Sequence, residues 1–283
     1  MMEVLHEPFV RDCIHMAEEA NQRGWHERNG GNLSYRLTAA EAAACRAGFG
    51  TKRNWLPLTM PLPVLGGDFF LLTGSGKYMS KVAAAPEECL GIIELAADGG
   101  SYAVRWGLEK GGNVTSELPT HLRTQALKKR RDASRNRIVY HAHPANLIAL
   151  TFVVPIDDAA ITRELWEADI ENPLVFPEGI GIVPWMVPGS EAVATATLAK
   201  MERYRAVIWA HHGTFVCGDD FDDAFGLMDS LEKAASICVK IRAMGGKRQA
   251  MTNQNLSDLA AAFGLLLHEG ALRLGEETSK GKT

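Results

Sequence analysis

The chain of 283 residues is 46% hydrophobic and 23% charged, ordinary values for a soluble globular protein that buries a sizeable core. Its formal net charge of -4, with an isoelectric point near 6.2, carries no basic footprint for nucleic acid. No basic-then-apolar leader opens the sequence and no apolar run is long enough to span a bilayer. Five scattered cysteines without a Cys-x-x-Cys pair argue against a disulfide framework or zinc ribbon, so reduced thiols in a cytoplasmic protein are expected.

Taken in order, Phe9, Cys13, Met16, Ala17 and Ala20 follow helical spacing, and Gly24 reads as the stop. "RNGGNLSYRL" follows as a glycine turn and a strand, with Leu33, Tyr35 and Leu37 alternating with Ser34 and Arg36. "DFFLLTGSGKYMS" is a strand running into a tight glycine loop, and "GIIELAADGGSYAVRWG" is a hairpin turning at Asp98, Gly99 and Gly100. Ser116 starts a helix near Glu117 that tolerates Pro119 in its first turn and ends in Lys128, Lys129, Arg130 and Arg131. Cations suit a helix C-terminus, so that run is read as a solvated face.

A strand over 138–141 leads into a helix from Pro144. "RELWEADIENPLVFPEGIGIVPWMVPG" reads as a Pro/Gly-punctuated connection with short extended pieces, and Ser190 opens a further helix. "AVIWAHHGTFVCG" is a strand, a turn and a second strand. Leu227, Leu231, Ala234, Cys238 and Ile241 mark a long amphipathic helix, residues 256–267 another, and a polar tail from about 275 is expected to fray. Hairpin-type and helix-linked strands are mixed, with no repeat and no composition break. The expectation is a single α/β domain over residues 1–283, its largely antiparallel central sheet covered by helices on both faces. No Gly-x-Gly-x-x-Gly or Walker motif supports a doubly wound nucleotide fold.

The chemistry starts at "IVYHAHPANLIAL". Strand side chains alternate, so His141 and His143 project together while Ala142 points away, and two imidazoles can converge on one ion. A second apolar strand ends in His211 and His212 before Gly213, and alternation allows one of the two to face the pair. Glu117 is the carboxylate candidate, able to serve as a general base beside a cation or simply as a helix-start partner. Asn29 and Asn32 in "ERNGGN", Ser75 and Gly76 in "TGSGK", and Thr115 and Ser116 in "VTSE" sit in turns of the kind that cradle phosphate.

These stretches resemble the class II aldolase/adducin family. "GWHERNGGNLSYRL", "LLTGSGKY", "TSELPTH", "HAHPANLIALTF", "RELWE", "VFPEGIGIVPWMVPG", "AVIWAHHGTF" and "FGLMDSLEKAA" run in order from residue 24 to about 240. The resemblance implies one Zn2+ per subunit on His141, His143 and His212, with His211 turned outward. It implies Glu117 as catalytic acid/base and Asn29, Asn32, Ser75, Gly76, Thr115 and Ser116 at positions that receive the substrate phosphate. Glu171 matches an acidic position near the active site across a subunit contact. The implied activity is a lyase reaction, reversible aldol cleavage of a phosphorylated ketose in carbohydrate degradation, by a homotetramer. Alternatives are a fuculose-phosphate aldolase, a pentulose-phosphate epimerase or a dehydratase, and, outside enzymes, an adducin-like binding module. Such a module typically loses the histidines, whereas this chain keeps all three candidates.

Overall fold

The computed structural model describes the backbone of residues 2–280 and the side chains of residues 4–274. Its centre is one sheet of nine strands: β1 (Asn32–Arg36), β2 (Leu56–Pro57), β3 (Phe69–Thr73), β4 (Leu90–Leu95), β5 (Ser101–Gly107), β6 (Ile138–Ala142), β7 (Gly181–Val183), β8 (Ala206–Trp209) and β9 (Gly213–Gly218). They lie in the order β2-β5-β4-β3-β1-β6-β9-β8-β7. Every neighbouring pair is antiparallel except β7 with β8. The α/β class and the largely antiparallel sheet are as the sequence pattern predicts.

Helices cover both faces. On the first face lie α1 (Pro8–Gln22), α2 (Asp158–Trp166) and α3 (Phe221–Ala243), packed on Tyr35, Leu71, Ile138, Tyr140 and Val216. On the second lie α4 (Leu118–Arg131) and α5 (Glu191–Met201), against Phe70 and Leu72 at one end and Val139, Val207 and Phe215 at the other. Local chemistry sets the helix ends. Pro8 opens α1, and Gly24 follows it at φ +75°. The Ser190 hydroxyl accepts from the Val193 amide at 3.2 Å to start α5, a cap worth about 1 kcal/mol.

Cover on both faces changes the meaning of the polar alternation in β1. Ser34 and Arg36 are buried rather than solvated, facing the α4 layer. Gln125 donates to the Ser34 carbonyl at 3.2 Å, and Arg36 to the Ala133 carbonyl at 3.0 Å. The basic run likewise departs from the expected solvated face at its first member. Lys128 is buried, its Nζ donating to the carbonyls of Met201 at 2.7 Å and Tyr204 at 2.9 Å, and burial lowers its pKa. Lys129 pairs with Asp68 at 2.6 Å.

The Pro/Gly-punctuated connection is also more ordered than its composition predicts. "RELW" closes α2, whose Trp166 is fully buried with Nε1 donating to the Phe176 carbonyl, and Asn172–Val175 is a further short helix. The helix expected over 256–267 is Asn253–Phe263, starting and ending a few residues earlier, at Gly264 with φ +65°. Backbone helix then runs from Glu269 to Lys280; the polar-tail expectation falls largely on side chains and on residues 281–283 that lie outside the described residues. All five cysteines are buried and unpaired, as small core residues. Among the described residues, no helix is long and apolar enough to cross a membrane.

Candidate active site

Strand register gathers the candidate residues at one edge of the sheet centre. Asn32 at the start of β1 faces His141 near the end of β6, and Ala142 faces Thr214 near the start of β9. At the end of β3, the Thr73 hydroxyl accepts from the Leu33 amide at 3.2 Å. Beyond it, Gly74 bridges Val114, so the "TGSG" loop lies beside the segment that carries Thr115, Ser116 and Glu117.

The three histidines come together. The candidate donor atoms of His141, His143 and His212 all lie within 4.8 Å of one another. His141 is buried and stacked on Phe215, ring centroids 4.1 Å apart, and its Nδ1 lies 3.1 Å from the Thr214 carbonyl. The Nδ1 of His143 lies 2.6 Å from the Glu27 carboxylate. An acceptor at each Nδ1 places the ring proton there and leaves both Nε2 lone pairs free, and these face each other at 3.2 Å. The Nδ1 of His212 is buried without a hydrogen-bond partner.

Burial, and then the rings of His143 and His212, hold His141 well below the ordinary imidazole range. Burial with His143 brings His212 down to about 4. Neutral imidazoles with converging lone pairs and an unpartnered buried nitrogen fit a bound metal ion.

His212 is selected by a turn, not by strand alternation. Both histidines sit in the β8–β9 turn, where His211 takes a left-handed backbone at φ +65°. That reversal sends His211 away, its ring tilted against Phe152 with centroids 4.1 Å apart and its Nδ1 3.2 Å from the Thr151 hydroxyl. Gly213 lets the turn close: a Cβ there would lie 2.5 Å from the Ala142 carbonyl and 2.8 Å from the His143 ring. Gly31, at φ +74°, does the same on the other side, where a Cβ would lie 2.7 Å from the His141 carbonyl.

Glu117 stands at the N-cap of α4, buried, with Oε2 3.9 Å from His141 Nε2 and accepting from Asn32 Nδ2 at 2.8 Å. Burial pushes its carboxyl above the ordinary range, partly offset by the Asn32 hydrogen bond and by His143. A neutral His141 makes the 3.9 Å approach a shared pocket rather than an ion pair.

The phosphate candidates divide into two groups. Asn29, Ser75, Gly76 and Ser116 are exposed. Thr115 and Asn32 are buried and already engaged. The Thr115 hydroxyl accepts from the Glu117 amide at 3.3 Å, and the Asn32 amide spans Glu117 and His121. Glu171 is exposed at the start of the short helix Asn172–Val175, and no contact links it to the histidines within the described chain. Two members were not anticipated. Glu27 meets His143 from 116 positions away, and His121 meets Asn32 from 89, pairings that no local pattern encodes.

A helix-covered antiparallel sheet with a buried carboxylate beside three converging imidazoles defines a metal-assisted enzyme of the class II aldolase type. The Class II Aldolase and Adducin N-terminal domain family matches residues 11–239, and the chain belongs to that family. It is 41% identical over 274 residues to the rhamnulose-1-phosphate aldolase of Pectobacterium carotovorum subsp. carotovorum (strain PC1), covering 97% of this chain and 100% of that one. The Yersinia pestis (strain Pestoides F) protein of the same name is 42% identical over 263 residues, 93% of this chain and 96% of its own. Among solved structures, a sugar-phosphate aldolase from Thermotoga maritima superposes with a TM-score of 0.72 at 26% identity, covering 84% of this chain and 97% of that one.

Proposed function

We propose that this chain is a zinc-dependent aldehyde-lyase that reversibly cleaves L-rhamnulose 1-phosphate into dihydroxyacetone phosphate and L-lactaldehyde. The observation that carries the reading is the buried Glu117 carboxylate, 3.9 Å from His141, in a chain aligned along 97% of its length with a named rhamnulose-1-phosphate aldolase.

His141, His143 and His212 would hold the ion, and three neutral imidazoles with open coordination positions suit catalytic zinc. When bound, the ion supplies Lewis-acid polarisation at the substrate's ketone and adjacent hydroxyl oxygens. The chain's own residues do the rest. In cleavage the C3–C4 bond breaks, the C4 hydroxyl passes its proton to the Glu117 carboxylate as C4 becomes the aldehyde, and the bonding pair stays on C3 as an enediolate. Glu117 delivers a proton to C3, and in synthesis it removes that proton. A carboxyl raised by burial carries a proton between these steps more readily than an exposed one. The exposed Ser75, Gly76, Ser116 and Asn29 would receive the phosphate, with the more enclosed Thr115 and Asn32 behind them.

We further propose a cytoplasmic homotetramer. Trp185 and Val187 are 66% and 60% exposed in the single chain, and Phe152 is 68% exposed beside His211, apolar surface that subunit packing would cover. Glu171 would then reach a neighbour's site. Sedimentation of an active monomer at working concentration overturns the assembly.

The function is tested by incubating zinc-loaded protein with L-rhamnulose 1-phosphate and trapping dihydroxyacetone phosphate. Fuculose phosphate and pentulose phosphates serve as competing substrates. Faster cleavage of fuculose phosphate, or epimerisation without cleavage, would replace this reading with its nearest alternative, and no turnover on any of them would favour a binding module.

A further inference from the structure

We propose that His121 is a positioning residue that holds the Glu117 carboxylate in its working orientation through Asn32. This rests on the reading of Glu117 as the proton-transfer group.

His121 lies one turn beyond Glu117 on α4, its amide donating to the Glu117 carbonyl at 3.1 Å. The side chain is completely buried on the sheet, near Phe215. A buried imidazole is costly to place there unless both nitrogens find partners, and both do. Nδ1 is 3.0 Å from the Ser34 hydroxyl and Nε2 is hydrogen-bonded to Asn32 Oδ1.

The partners set the direction of the chain. Gln125 Nε2 donates towards the Ser34 hydroxyl oxygen at 3.3 Å and, more closely, to the Arg137 carbonyl at 2.9 Å. The Ser34 proton is therefore free to turn to His121 Nδ1. The imidazole proton then sits on Nε2 and donates to Asn32 Oδ1. With its oxygen held there, Asn32 can present only its NH2 to Glu117, which it does at 2.8 Å to Oε2. Reversing any link would aim an amide oxygen at the carboxylate, an unfavourable pairing of two acceptors. Asn32 is thus clamped at both ends of its side chain, and Glu117 cannot rotate without losing a buried hydrogen bond.

The test is a cycle on the same phosphorylated ketose: wild type, Glu117→Gln, His121→Phe, His121→Gln and the double variant H121F/E117Q. A displaced proton-transfer group costs up to about 10²-fold, so His121→Phe is expected to lower kcat roughly 10–100-fold. KM should change less than kcat, within about threefold, because the exposed residues that would receive the phosphate keep their places. Bound metal should stay at the wild-type amount. His121→Gln, which can still donate to Asn32, should recover most of the rate. In the Glu117→Gln background the Phe substitution should cost no more than about twofold, because no carboxylate remains to be aimed.

A loss that persists undiminished in that background overturns the proposal. So does a loss confined to KM, or a Gln variant as slow as Phe. Should His121→Phe fail to fold by circular dichroism, Ser34→Ala enters the same cycle with the same requirement: a fall in kcat that vanishes when Glu117 is Gln supports the proposal, and an additive or absent effect overturns it. Wild-type protein without cleavage activity would overturn the functional reading itself, a result distinct from any pattern among the variants.

Discussion

Asn32 and His141 are direct partners across β1 and β6, so the amide that holds the candidate acid/base and the most buried imidazole of the cluster occupy one rung of the sheet. The carboxylate and the histidine cluster cannot drift apart without breaking strand pairing. That linkage makes each group separately testable.

His212→Ala is expected to release metal, and His211→Asn to retain it at the wild-type level. Only His212 turns into the cluster, and asparagine tolerates the left-handed backbone that His211 adopts. Metal analysis of the two purified variants decides. Equal loss in both would mean that the turn does not select the ligand.

Glu27→Ala should weaken metal binding by roughly 10–100-fold without abolishing it, the usual cost of losing a group that orients a ligand. The Glu27 carboxylate, 2.6 Å from His143 Nδ1, is the acceptor that keeps that ring's other nitrogen free. Competition with a chelator of known affinity measures the change, and unaltered affinity would reduce this contact to a surface pairing.

Glu117→Gln keeps size and shape but removes the proton carrier, so turnover should fall by roughly 10²–10⁴ with metal still bound. Proton exchange at the reacting carbon of dihydroxyacetone phosphate should slow in step. A folded, metal-loaded variant exchanging that proton at the wild-type rate would leave Glu117 only its place at the start of α4, worth about 0.3–1 kcal/mol.

Ser116→Ala should raise KM for the phosphorylated ketose more than for the free sugar, because the residue is exposed and directly precedes Glu117. Equal effects on the two substrates would make it a plain turn residue.

Stability should fall on mild acidification. Burial lowers the pKa of His121 to about 3, whereas unfolding returns it to about 6.5. The folded state thus refuses a proton that the unfolded chain accepts. The stabilisation is complete above about pH 6.5 and is lost as pH drops towards 3, at up to about 1.4 kcal/mol per pH unit. Urea unfolding between pH 7 and 5 should show the slope, and His121→Gln should reduce it by one proton's share, the depressed His141 and His212 keeping the rest. An unchanged slope in the variant would assign the proton uptake elsewhere.

Much of this site was legible in the sequence because its parts are local. The paired histidines of β6, the His-His-Gly turn, the glycine turn before β1 and the start of α4 each show in a few consecutive residues. Strand alternation left His211 and His212 open, and only the family resemblance chose His212, since a left-handed backbone at one residue makes that selection. Lys128 read as solvated because a charge run normally marks a surface, yet the second helical layer covers it. Glu27 and His121 stayed hidden for a different reason: their partners lie 116 and 89 positions away, and only folding brings them together.

The helix α4 is pinned along its whole length: Glu117 at its N-cap, His121 and Gln125 bonded into the sheet, and Lys128 anchored to two carbonyls near its end. It therefore behaves as a stiff rod about 20 Å long, with the candidate acid/base Glu117 at one tip. A disturbance at Lys128, roughly 16 Å along the axis, has little freedom to relax locally and would be felt as a tilt at Glu117. Substitutions far from the chemistry on this one rod should perturb turnover, while equally distant ones on the outer helices should not.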